Sequence, residues 1–187
     1  MEDKPQQQCV IPIHKPSGRE LIFFFLCGIL VSVPNAVVFE QFSSFLPYAL
    51  TVIVVAPFVE EFAKVLPLFY RHGETERSIV TLGILIGLGF GITEFFLYVF
   101  VYDVPWFVRI PGIIFHASSA GVTAFGIAKK KPLHYYLTSV TLHAANNLFA
   151  VVAPVNFGVL AELLIVITVY LLARRFYHEA SDEKIVV

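Results

Sequence analysis

Six apolar runs, each about as long as a bilayer is thick, constrain this chain more than any other feature. They cover residues 21–39, 43–70, 79–102, 106–128, 133–152 and 155–173. A bilayer core takes roughly 20 apolar residues per helix, and backbone polar groups in lipid must be satisfied within the segment. The breaks carry turn or charged residues: "QFSSFLP", "RHGETERS", "YDVP", "KKKP" and "APVN". The pattern predicts an all-α, polytopic membrane protein of six transmembrane helices, built as a single domain over 1–187. Of the 187 residues, 57% are hydrophobic and 14% charged. A soluble domain of this size could not hide so much apolar surface.

Charge gives the expected orientation. Lys4, Lys15 and Arg19 precede the first run, and Arg71 and Arg77 lie between the second and third. Lys129, Lys130 and Lys131 lie between the fourth and fifth, and Arg174, Arg175 and Lys184 follow the sixth. Every second loop is basic, which predicts cytoplasmic termini and a polar cytoplasmic tail over 1–18. That tail is followed by a late, long apolar run, so it does not read as a cleavable signal peptide. A net charge of −1 gives no sign of nucleic-acid binding. Cys9 in the tail and Cys27 in an apolar run suggest no disulfide framework. The expected location is the cell membrane, as a multi-pass protein.

Polar residues inside the runs carry the functional signal. "VVAPFVEEFAKVLPLF" (54–69) places Glu60, Glu61 and Lys64 in one span; Glu94, His116, His143 with Asn146 and Asn147, and Glu162 follow in the next four. An ionisable group at a helix centre costs about 2.5–3.5 kcal/mol on insertion scales. By helical rise, Glu60, Glu61, Glu94, His116 and His143 fall within roughly 5 Å of the midplane. Singly, each has a structural reading. Lys64 neutralises one of the two adjacent glutamates at i, i+3 or i, i+4, Glu94 is a protonated core acid, and His116 is a satisfied core histidine. His143 and Asn147 are a helix bridge. Arg109 pairs with Asp103 or snorkels. Gly83, Gly87 and Gly91, four residues apart, read as a helix-packing stripe. Ser118 and Ser119 also read as packing. At one shared depth, the ionisable groups together read as a cavity.

Such a cavity suits hydrolysis. A glutamate there serves as general base on water, and histidine and asparagine side chains, His143 and Asn147 among them, donate to an oxyanion. A zinc site is the other version, with Glu94, His116 and His143 as ligands and Glu60 as base. No HExxH occurs, so the ligands would come from separate helices. A small-solute or proton transporter is a competing class, though no internal repeat between 20–100 and 100–175 supports it. A non-catalytic membrane scaffold is the third.

"EEFAK" (60–64), "FGITE" (90–94), "HASSAGVTAFG" (116–126) and "HAANN" (143–147) occur in this order on consecutive runs. Together they resemble the PrsW family of intramembrane proteases, and more distantly the CAAX prenyl endopeptidases and the APH subunit of gamma-secretase. The motif core covers residues 57–149. The resemblance implies a protease acting on membrane-associated protein substrates, with Glu60, Glu61, Glu94, His116 and His143 in the active site. Lys64 and Glu94 replace the arginine and histidine of the prenyl endopeptidases, which favours PrsW. The motifs do not choose between a metal-dependent and a glutamate-only mechanism.

Overall fold

The computed structural model describes residues 13–70 and 74–186. Cys9, Lys4 and Arg71 lie outside them; Cys27 is a buried free thiol. Six helices stand where six runs were expected: α1 (Gly18–Phe42), α2 (48–70), α3 (Glu76–Phe100), α4 (Trp106–Ala128), α5 (Pro132–Val152) and α6 (Val155–Glu179). α1, α3, α4 and nearly all of α6 (Asn156–Glu179) are long and apolar enough to cross a membrane. α2 and α5 are the helices that carry Glu60, Glu61 and Lys64, and His143, Asn146 and Asn147. Their polar content and the breaks in α2 set them apart from the other four.

α1 starts at a capping box. The Glu20 amide donates to Ser17 Oγ, and the Ser17 amide donates to Glu20 Oε2 at 2.8 Å. α1 and α2 each contain one π-helical turn, Gly28–Ser32 and Thr51–Val55. Each turn lies just before a proline, Pro34 or Pro57, whose ring has no N–H and clashes with the carbonyl four residues back. In α2 the Ala56 amide donates to Thr51 O, so the equivalent donor for Val52 O would come from Pro57, which has none. Asn147 on α5 takes its place, donating from Nδ2 to Val52 O at 2.9 Å.

α4 is the central helix: 61% of its most apolar window is buried, against 22% for α6. The glycine stripe is a packing face, as expected. A Cβ at Gly87 would overlap the His116 carbonyl, so α3 and α4 meet backbone to backbone. Gly89, on the other side of α3, does the same for α1 at Phe25. Phe24, Val65, Leu68, Leu82, Ile86 and Ala124 form the largest apolar core cluster, and Ala36, Ala63 and Phe90 pack beside it. A short antiparallel pair closes one end, with β1 (Glu74–Thr75) against β2 (Ile185–Val186). The protein is an all-α membrane protein, and α4 holds the centre against which the polar residues of α2, α3 and α5 meet.

Candidate active site

Pro57 opens the helical stretch Ala56–Val65 of α2, whose buried face carries Glu61 and Lys64, both fully buried. An ammonium has three protons and no acceptor capacity, so a buried lysine needs three acceptors. Lys64 Nζ has them: Glu61 Oε1 at 2.5 Å, His116 Nδ1 at 2.9 Å and Ser119 Oγ at 3.3 Å. Its charge also faces the Phe90 ring, 5.1 Å from the centroid. Ser119 Oγ in turn donates to Glu61 Oε1 at 3.1 Å.

This hub sets both imidazoles. An ion-paired carboxylate accepts only, so His143 Nδ1, 2.9 Å from Glu61 Oε1, is a donor, and in the neutral ring Nε2 is the acceptor. Lys64 donates to His116 Nδ1, so His116 Nε2 holds the ring proton and donates it to Glu94 Oε2. Glu94 Oε1 receives Arg109 Nη2 at 3.2 Å, and that guanidinium stands 3.9 Å over the Tyr98 ring. The two imidazole centroids are 5.4 Å apart, with the edge-on Phe115 ring 5.0 Å from His143.

Glu60, next to Glu61 but about 100° round the helix, meets a different environment. Its Oε2 is buried without a hydrogen-bond partner and lies 3.8 Å from His143 Nε2. Glu60 Oε2 and His143 Nε2 thus face each other, and a proton donor or a cation placed beside them would join the two. Ligand atoms of Glu60, His116 and His143 all lie within 4.8 Å of one another.

Several placements differ from those the sequence suggested. Glu60, not Glu94, stands with the two histidines in the three-donor group; Glu94 is held between His116 and Arg109. Arg109 pairs with Glu94 rather than Asp103. Asn147 spends its amide on Val52 O, because the proline of α2 leaves that carbonyl bare. Glu162 on α6 lies within electrostatic reach of Arg109. Of the two glutamates left open as partners of Lys64, Glu61 is the one that pairs with it. Sequence reasoning passed over two residues. Ser119 was read as packing and instead bridges Lys64 and Glu61. Glu40, near the end of α1, reaches the Glu60 carboxyl within side-chain hydrogen-bonding range. α1 and α2 pack antiparallel, and helical side chains lean toward their own N-terminus, so these two lean toward each other. Glutamate near the end of an apolar run reads as a boundary residue, which hid it.

No curated protein and no solved structure matches the chain. The family model of the PrsW family intramembrane metalloproteases matches residues 16–173, from the first turn of α1 to the last third of α6. A match over most of the chain shows the family: this protein belongs to the PrsW family of intramembrane proteases.

Proposed function

We propose that the chain cleaves peptide bonds of membrane-embedded protein substrates, with hydrolysis centred on Glu60 and His143. The observation that carries this reading is the pair of facing acceptors, Glu60 Oε2 and His143 Nε2, 3.8 Å apart with no donor between them. Around it stand the parts that hydrolysis needs: a carboxylate to take a proton, imidazoles fixed in orientation, and a water-poor surrounding.

The donors suit a zinc ion. One carboxylate and two imidazoles form a known catalytic ligand set, and the Glu61 contact to His143 Nδ1 is the kind of carboxylate partner that orients a ligating histidine. Glu60, His116 and His143 would hold the ion, and bound there it would supply Lewis acidity toward water and the scissile carbonyl. His116 would exchange its Nε2 contact with Glu94 for this role. Glu94 stays held by Arg109 beside the gap and takes the water's proton, then returns it to the leaving amine nitrogen. This exchanges the roles that the sequence suggested for Glu60 and Glu94. One observation favours a metal-free reading: both ring nitrogens of His116 are already engaged, by Lys64 and by Glu94. Glu60 Oε2 then accepts the proton itself, while His143 orients the water.

Elemental analysis of purified protein, with cleavage of a quenched transmembrane peptide before and after chelation, separates the two. One zinc per chain, lost in Glu60→Gln and in His116→Ala, supports the metal reading. Full activity in zinc-free protein leaves the glutamate reading. Full activity in Glu60→Gln contradicts both. We further propose a six-span arrangement in the cell membrane with both termini in the cytoplasm, resting on the alternation of basic loops. Cysteine labelling at 129–132 tests it; reaction only from outside the cell would reverse the orientation.

A further inference from the structure

A groove of about 400 Å³ runs along the outer surface of the bundle, away from the site, between α3, α4 and α6. Ile84 and Leu88 of α3 and Ile113, Ile114 and Ala117 of α4 form its apolar floor and walls. On α6 it is bordered by Tyr170, Ala173, Arg174 and Tyr177. That i, i+3, i+4, i+7 spacing puts all four on one helix face. Arg174 therefore turns into the groove, while Arg175, about 100° away, does not line it. Among the described residues, Arg174 is exposed and has no ion pair or side-chain hydrogen bond. The neighbouring Arg77 is already committed, to Asp182 and to Ala180 O.

We propose that this groove binds one anionic glycerophospholipid, with an acyl chain along Ile84, Leu88, Ile113 and Ile114. The phosphate meets the Arg174 guanidinium and the Tyr177 hydroxyl. Size decides against a protein helix as occupant. One helical turn with its side chains fills about 400–600 Å³, so the groove admits a single turn at most, whereas a thin, flexible chain follows it along its length. Charge decides the headgroup. A free guanidinium at the end of an otherwise apolar face matches a phosphate, which it binds by paired N–H donors, and it favours one whose charge no headgroup ammonium cancels. Position agrees with both. The apolar walls belong to the middle turns of α4, and the Arg174–Tyr177 end approaches the α6 terminus at Glu179. The ligand would therefore lie in one leaflet, with its headgroup on the side of that terminus.

Native mass spectrometry of the full chain in detergent, supplied with equal amounts of phosphatidylglycerol and phosphatidylcholine, tests the assignment. The wild type is expected to retain one phosphatidylglycerol with about a tenfold preference, the ratio that about 1.4 kcal/mol produces. Arg174→Gln should still retain one lipid but lose the preference. Ile114→Trp, at a half-exposed wall position that tolerates a larger side chain, should fill the groove and retain neither lipid, with its thermal unfolding midpoint unchanged. Equal retention of the two lipids by the wild type would overturn the proposal. So would an undiminished preference in Arg174→Gln, or one retained lipid in folded Ile114→Trp.

Discussion

Two clusters of buried glutamates stand at different levels of this bundle, and they are finished differently. At the end closed by β1 and β2, Glu76 is ringed by Lys129 Nζ at 2.7 Å, the Ser181 amide at 3.0 Å and Lys184 Nζ at 3.5 Å. Beside it, Arg77 pairs with Asp182. Donors from α4 and from the C-terminal segment converge there on the start of α3. At the centre, Glu61 is answered in the same way by Lys64, Ser119 and His143, but its neighbour Glu60 meets no lysine or arginine at ion-pair distance among the described residues. Burial of an acid is common to both places. What distinguishes the central one is Glu60, which has no cation beside it and faces His143 Nε2, and the proposed chemistry uses that pair.

If this contrast is right, substitutions in the two clusters must separate activity from stability. The largest effect is expected for Glu60→Gln, a loss of about 10²–10⁴ in peptide cleavage, the range for removal of a positioned acid–base group. Its thermal midpoint should stay about the same, because a buried carboxyl with no cation beside it is replaced by an amide of the same shape. A variant that unfolds instead would place Glu60 with the structural acids. Next, Lys64→Met strips the central hub of its cation and leaves Glu61 buried and unpaired. Breaking one side of a buried pair costs about 3–5 kcal/mol, so denaturant unfolding in detergent should register a loss of that order. Glu76→Gln at the closed end should cost less, about 1–3 kcal/mol, with cleavage per folded molecule unchanged. A fall in specific activity there would break the comparison. Smallest of all is Glu40→Gln. It keeps a hydrogen-bonding group beside Glu60, and a change of about 0.5–1.5 kcal/mol corresponds to roughly a tenfold change in cleavage or less.

Much of this was legible in the chain. Apolar run lengths gave the helix count, and the glycine spacing gave the α3–α4 contact, because bilayer thickness and helical period are fixed quantities. The shared depth of Glu60, Glu61, Glu94, His116 and His143 followed from helical rise. Azimuth did not. Which of two adjacent glutamates meets Lys64 depends on how α2 is rotated, and a π-helical turn before Pro57 sets that rotation. The sequence leaves Asn147 open between a helix bridge and an oxyanion donor for the same reason, since its partner in the bridge is a carbonyl that the proline leaves bare. Glu40 escaped notice because its approach to Glu60 depends on how far α1 sinks beside α2, and no local pattern encodes that offset.

The central claim is that Glu60 and His143 act as one unit on one step of hydrolysis. A double-mutant cycle on cleavage of the transmembrane peptide tests it most directly, comparing Glu60→Gln, His143→Ala and the two combined, each confirmed as folded. Residues that act on the same step lose most of their effect at the first substitution. The account predicts that the double variant is about as slow as the slower single variant. Losses that multiply, or a Glu60→Gln enzyme as fast as the wild type, would contradict it.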